Sequence, residues 1–326
     1  MTIANVLQIL LITFPFFALV LCGYLAASRR MLPLEAIPGL NSFVLFFALP
    51  CMLYRFGSMT PLAQLLDGGV VLTWALCALV TVVFTVGISR NERIGWNDAS
   101  FGALVAAFPN TGFMGVPLLV ALLGPRAAGP IIVTMLIDML LTTSLCIALS
   151  RLDLADEHGA SKAAAKALKG VASNPLPWAI LLGALSSAVH LELPKPLLQT
   201  VSLLADAASP VALFTIGAVL ARSQIMTVVN KHAPIPLLDY LPAAAIKLLL
   251  HPLLVLLVGS AALALGLPLD KFALTVIVLA AALPSASNVS LLAERFGADN
   301  GRIARIILLS TAAAFVTFSA AVALLT

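Results

Sequence analysis

Charge is what this sequence has least of. Asp, Glu, Lys and Arg make up 10% of its 326 residues, where a soluble domain carries about 25%. A water-facing surface cannot be built from so little, so the 61% hydrophobic content must face something other than water. Cysteine is scarce as well. Cys22, Cys51, Cys77 and Cys146 all lie inside apolar runs and form no CxxC pair, so they read as small buried hydrophobes and exclude a disulfide framework. There are only 4 histidines, and no HExxH, P-loop GxxxxGK[ST] or GxSxG pattern occurs. The chain is therefore not read as an enzyme, and neither a metal nor a cofactor is expected beyond a coupling ion, H+ or Na+. The net charge of +4 is spread over short loops, which argues against a nucleic-acid partner.

What the chain does have is a series of apolar runs of bilayer-spanning length, about 20 residues each. They predict an all-α integral membrane protein with ten transmembrane helices, near residues 4–27, 37–55, 66–89, 98–123, 130–150, 175–191, 197–222, 238–265, 271–295 and 303–325. The first run lacks a basic start and continues too far for a signal peptide, so it is expected to be a span. Lys and Arg supply the orientation. Thirteen of the 18 fall in the odd-numbered loops: Arg29, Arg30, Arg90, Arg93, Arg151, Lys162, Lys166, Lys169, Arg222, Lys231, Arg295, Arg302 and Arg305. The even loops hold Arg55, Arg126, Lys195 and Lys271, and Lys247 alone is left within a span. This puts the odd loops in the cytoplasm and both termini outside a cell inner (cytoplasmic) membrane.

The longest loop, residues 151–174, divides five spans (1–150) from five (175–326). An odd number per half makes the second half inverted relative to the first. Within the loop, the Ala-rich, Lys-spaced stretch Ser161–Lys169 predicts a short surface helix at the inner leaflet.

Two spans contain residues that a lipid-facing helix should not. The fourth holds Phe108-Pro109-Asn110-Thr111-Gly112-Phe113-Met114-Gly115-Val116-Pro117, and the ninth holds Leu283-Pro284-Ser285-Ala286-Ser287-Asn288. Proline lacks an N–H and clashes with the preceding turn, so both helices are expected to break. In lipid, freed backbone groups are tolerated only where protein or a wet cavity supplies partners. Interrupted helices in corresponding positions of two halves mark a transporter's binding site. At each break, half-helix ends point N–H groups toward the midplane, where they can be offered to an anion. Pro109, Asn110, Thr111, Pro284, Ser285, Ser287 and Asn288 are the candidate substrate-binding residues. Their side chains either hold an oxyanion or cap the broken helices. Gly112 and Gly115 are expected to permit close helix approach.

Four ionisable residues lie within spans. Asp138 and Asp206 each sit well inside an apolar run, where a carboxylate is costly unless paired or protonated. Each is either the protonatable group of a proton-coupled carrier or a structural carboxylate bonded to hydroxyls, with Thr142 one turn beyond Asp138 as a ready partner. Lys247 and His251 share a helical face. Lys247 either pairs with an aspartate, binds a substrate carboxylate, or snorkels to the cytoplasmic interface. His251 precedes Pro252, where a kink is expected.

The motif Asn110-Thr-Gly-Phe-Met-Gly-Val-Pro117 resembles the fourth-helix signature of the auxin efflux carrier family. Pro284-Ser-Ala-Ser-Asn288 followed by Leu291-Leu-Ala-Glu-Arg295 resembles its ninth-helix signature, and Ser209-Pro-Val-Ala-Leu-Phe-Thr-Ile-Gly217 its seventh. The short central loop is similar to the prokaryotic members, some of them malonate-transporter-like. The resemblance implies a ten-helix fold shared with bile-acid and sodium symporters. It implies a scaffold of spans one, two, six and seven, a transport domain of spans three to five and eight to ten with the broken helices four and nine crossing near the bilayer midplane, and an elevator-type motion. The expected partners are a small organic anion, membrane lipid, and a second copy through the scaffold. A sodium-coupled symporter and a transport-dead receptor are the alternative readings.

Overall fold

The computed structural model describes residues 3–61, 67–152, 175–191, 193–229 and 235–326. Most of the central loop, with its expected helix over Ser161–Lys169, lies outside the described residues. The described chain is helical, and its one β-type pairing is an isolated bridge. Among the described residues, seven helices are long and apolar enough to cross a membrane. The remaining expected span positions hold shorter apolar helices, Thr111–Leu123, Pro175–Ala188 and Lys271–Ala281. Two of these are short because a proline break cuts the run, as described below.

In chain order the α-helices are α1 (Ile3–Ser28), α2 (Ile37–Phe43), α3 (Leu49–Met59), α4 (Gly68–Ser89), α5 (Trp96–Ala107), α6 (Val116–Leu123), α7 (Ala128–Ile137) and α8 (Thr143–Leu149). There follow α9 (Pro175–Ala188), α10 (Lys195–Val229), α11 (Leu237–Ala245), α12 (His251–Ala264), α13 (Lys271–Ala281), α14 (Val289–Arg295) and α15 (Asn300–Leu325). Single π turns join α2 to α3 (Val44–Ala48), precede α6 (Thr111–Gly115), join α7 to α8 (Asp138–Thr142) and join α11 to α12 (Ile246–Leu250). A π turn is what a helix adopts when one extra residue must be absorbed without ending it.

The helices are turned inside out relative to those of a soluble protein. On α4, Leu72, Leu76, Leu79, Val83 and Phe84 are exposed, while Thr73, Thr81 and Thr85 are buried. Two of these buried hydroxyls are satisfied locally: Thr81 Oγ1 donates to Cys77 O and Thr85 Oγ1 to Thr81 O, both at 2.7 Å. Apolar solvent outside and satisfied polar groups inside is the arrangement a bilayer imposes.

The chain divides into two compact units. Unit 1 comprises residues 1–67, 112–133 and 174–231, and so gathers α1, α2, α3, α6, α9 and α10. Its packing depends on close backbone approach. A Cβ at Gly23 of α1 would lie 1.8 Å from Phe214 O, and one at Gly217 of α10 would lie 1.8 Å from Val20 O. Lipid offers no hydrophobic drive for helices to associate, so small residues that let backbones touch provide the van der Waals gain. Three turns earlier on α10, Asp206 pairs with Arg55 of α3 at 2.7 Å.

Unit 2 comprises residues 68–111, 134–173 and 232–326. At its interior lie α5 and α13, whose residues Ala99–Ala107 and Val276–Ala281 are all buried. α4 packs on α5 and α12, and α11 packs on α15.

Gly217→Val is expected to lower the melting temperature of detergent-purified protein, since overpacking costs about 1–3 kcal/mol. Gly39→Ala, with nothing within 4 Å of the added Cβ, is expected to melt close to wild type. Equal melting of the two variants would contradict the close α1–α10 contact.

Candidate substrate site and buried charge cluster

The break in the fourth span begins where proline dictates. α5 ends at Ala107, and Phe108 turns extended (φ −97°, ψ 101°), the conformation that a following proline imposes. In the ninth span α13 ends at Ala281 and Pro284 follows. The two breaks solve each other's hydrogen-bond deficit. Asn110 N donates to Pro284 O at 2.8 Å, and Ala286 N donates to Phe108 O at 3.0 Å. Pro109 and Ser285 face each other across this antiparallel bridge. Both bonds come from their neighbours, so the missing N–H of Pro109 costs nothing. Ser285 N instead reaches Ser310 Oγ of α15 at 3.2 Å, and Thr111 N closes a tight turn onto Pro109 O at 2.8 Å.

Backbone–backbone bonds and Ser310 therefore do the work that the sequence could have assigned to the polar side chains of the breaks. Thr111 Oγ1 and Ser285 Oγ are buried without a partner. Asn110 is 4% exposed. Ser287 is buried, and its carbonyl accepts from Ser290 Oγ at 2.9 Å. Asn288 is half-buried at the head of α14 and makes no side-chain cap bond. Pro109, Asn110, Thr111, Pro284 and Ser285 are thus brought together in unit 2, with Ser287 and Asn288 directly following.

The four ionisable candidates separate. Asp206 lies in unit 1, its side chain 66% exposed and paired with Arg55. It is therefore a charge-paired carboxylate: the face of α10 that carries it is open, and its partner is a guanidinium. Asp138 is fully buried in unit 2. Its Oδ1 accepts from Thr142 Oγ1 at 2.9 Å, the expected neighbour, and from Trp74 Nε1 at 3.1 Å; its Oδ2 has no partner. Lys247 does not snorkel. It is 0% exposed, donating to Ala281 O at 2.7 Å and lying 3.2 Å from His251 Nδ1. His251 is also fully buried; its ring lies 5.2 Å from that of Trp74, and its Nε2 is unpartnered. In place of a simple kink, Pro252 is preceded by the π turn that holds Lys247. A widened turn is one way a helix accommodates a proline's missing donor.

Trp74 thus links Asp138 to His251 and, through it, to Lys247. Sequence reasoning missed it, because a tryptophan in an apolar run signals packing or an interface and says nothing about which acceptor its N–H finds. Ser310 was missed for the same reason.

Trp74→Phe keeps most of the ring packing but removes the indole donor from a buried carboxylate. The expected loss is about 1–3 kcal/mol, read as a lower melting temperature in detergent. An unchanged melting temperature would mean that Asp138 does not depend on this bond.

The family described as "Membrane transport protein" matches residues 8–322. The chain is 29% identical over 300 residues to the "Putative malonate transporter" of Rhizobium meliloti (strain 1021), covering 91% of this chain and 89% of that one. It is 28% identical over 291 residues to the "Uncharacterized transporter YfdV" of Escherichia coli (strain K12), covering 86% of each. Its identity to "Auxin efflux carrier component 8" of Arabidopsis thaliana is 23% over 281 residues, covering 69% of this chain and 76% of the relative. The family match takes in both units and both breaks. The chain belongs to the membrane transport protein family and is a multi-pass membrane transporter, with the auxin efflux carriers among its relatives.

Proposed function

We propose that this protein is a secondary carrier of a small organic anion, a carboxylate such as malonate, across the cytoplasmic membrane. One observation carries the reading. Once the backbone of the two breaks is paired, polar side chains are left over: the buried hydroxyls of Thr111 and Ser285 have no partner. A buried unsatisfied polar group costs about 1–3 kcal/mol, and a bound oxyanion recovers that cost. The amides of Asn110 and Asn288 stand beside these hydroxyls in the chain and supply further donors. The name of the Rhizobium relative supports a carboxylate as the cargo.

In this reading the chain makes ten spans in two inverted five-helix repeats, with the fourth and ninth crossing near the midplane. The bridge between Pro109 and Ser285 supports the crossing. The bias of Lys and Arg to alternate loops supports placing both termini outside. Unit 2, which holds the paired breaks, would be the moving transport domain of an elevator, and unit 1 the scaffold. The division of the chain into two compact units supports this assignment except over residues 112–133, the second half of the fourth span and the start of the fifth, which fall in unit 1. The coupling ion is a proton held on Asp138, whose Oδ2 is buried and unpartnered and so can take a proton without breaking a hydrogen bond. The groups around it are Trp74, Thr142 and Cys146, with Lys247 and His251 linked through Trp74.

Uptake of labelled malonate and related dicarboxylates into proteoliposomes tests the reading. Asn110→Ala and Asn288→Ala should each reduce uptake about tenfold or more, the size of a lost hydrogen bond to a charged group, while the protein still elutes as a monodisperse peak. Wild-type uptake by the double variant would remove the paired breaks as the site. Asp206→Asn is expected to leave the pH profile of uptake unchanged, because that carboxylate is exposed and already paired with Arg55. A displaced profile would move the coupling proton to Asp206.

A further inference from the structure

A cavity lies at the end of α4, away from the paired breaks in sequence. It encloses about 380 Å³ and is lined by Val86, Gly87, Arg90, Asn91 and Trp96, all of them in unit 2. That is the small end of the ~300–1,000 Å³ that ligand pockets occupy. α4 is one of the helices long and apolar enough to cross a membrane, and it ends at Ser89. The cavity therefore sits where a span meets the membrane surface, the level at which tryptophan and arginine anchor.

The rim of the cavity carries one uncommitted cation. Asn91 fixes the turn: its Oδ1 accepts from Arg93 N at 2.8 Å and from Ile94 N at 3.0 Å, and its Nδ2 donates to Ser89 O at 3.3 Å. Arg93 is taken by Asp239, at 3.3 Å. Arg90 lies over the indole of Trp96, its guanidinium carbon 4.5 Å from the ring centroid. It is exposed, and among the described residues it has no acidic partner. Stacking occupies the face of a guanidinium and leaves the in-plane N–H groups, whose fork matches a phosphate. Glu92, the acid nearest in sequence, is exposed and does not line the cavity.

The apolar side of the cavity continues along α4. Leu76, Val80, Val83 and Gly87 recur every three or four residues, so they share a face, and Arg90 ends the row. All five are exposed. Gly87 makes a notch in this row, since a Cβ there would meet nothing within 4 Å. A ligand that suits a guanidinium at one end and an apolar row at the other has an anionic head and a hydrocarbon tail.

We propose that this cavity is a binding site for an anionic phospholipid of the bilayer. The phosphate takes the free edge of the Arg90 guanidinium, the glycerol fills the notch at Gly87, and an acyl chain lies along Val83, Val80 and Leu76. Trp96 is a positioning residue that holds the guanidinium in place. The inference does not depend on which solute is transported.

Purified, delipidated protein in a neutral detergent provides the test. Its melting temperature should rise with the logarithm of added phosphatidylglycerol, as for a ligand that binds the folded state, and hardly move with phosphatidylcholine. Arg90→Gln should need about tenfold more phosphatidylglycerol, or more still, for the same rise, the size of one lost hydrogen bond to a charged group. Gly87→Leu fills the notch; it should melt no lower than wild type without lipid and lose the response. Arg29→Gln, just past α1 in unit 1, should keep it. Native mass spectrometry should count one fewer retained phosphatidylglycerol on Arg90→Gln and on Gly87→Leu than on wild type. The proposal is overturned if both variants respond as wild type, or if Arg29→Gln weakens the response equally, which would mean diffuse attraction to positive charge. It is also overturned if inorganic phosphate gives the same rise as phosphatidylglycerol, which would make this a site for a free anion. A Gly87→Leu protein that keeps the lipid response but passes from dimer to monomer would assign the notch to a second copy of the chain instead. Should Arg90→Gln fail to fold, Gly87→Leu still decides.

Discussion

The mutual pairing of two helix breaks is the constraint on which unit 2 depends. In hydrocarbon no water is available for a freed backbone group, and each one left unpaired costs several kcal/mol. Neither break satisfies itself. Phe108 O and Asn110 N of one find Ala286 N and Pro284 O of the other, with Pro109 set where it has nothing to donate and nothing to lose. The arrangement requires both half-helices to be enclosed by protein, which accounts for the burial of residues 99–107 of α5 and 276–281 of α13 on every side.

Because the backbone looks after itself, the side chains of the breaks are available. Hydroxyls and amides that would otherwise cap helix ends remain as donors within a buried setting. The carbonyl end of α13 is handled separately, by Lys247 from another span, and that side chain leads through His251 and Trp74 to the one fully buried carboxylate among the described residues of unit 2. The polar groups of the breaks and the charge cluster therefore share α13 and its break as their common element, so a change at Ala281 or Pro284 acts on both.

The breaks themselves were legible in the sequence because proline acts locally: it removes a donor at its own position whatever surrounds it. The pairing partner of each break was inferable only from symmetry, by counting spans and loop charges. The acidic residues show the limit most clearly. Asp138 and Asp206 look alike as a string, each an acid well inside an apolar run. One is enclosed and held by Trp74 and Thr142; the other is open and held by Arg55. Which face of a helix is covered depends on neighbours far away in the chain, and low amphipathicity leaves no pattern from which to read it. Lys247 was ambiguous for the same reason, since a long side chain can run outward to an interface or inward to a helix end.

The sequence by itself determined the membrane class, the places where helices must break, and the family, because these follow from composition and from residues whose effect is local. The tertiary structure decided the partners. It set Asn110 against Pro284, Lys247 on Ala281 and Trp74 on Asp138. Those pairings join positions 34 to 174 residues apart, as the numbering of each pair shows, and they exist only because burial leaves each donor no solvent to turn to.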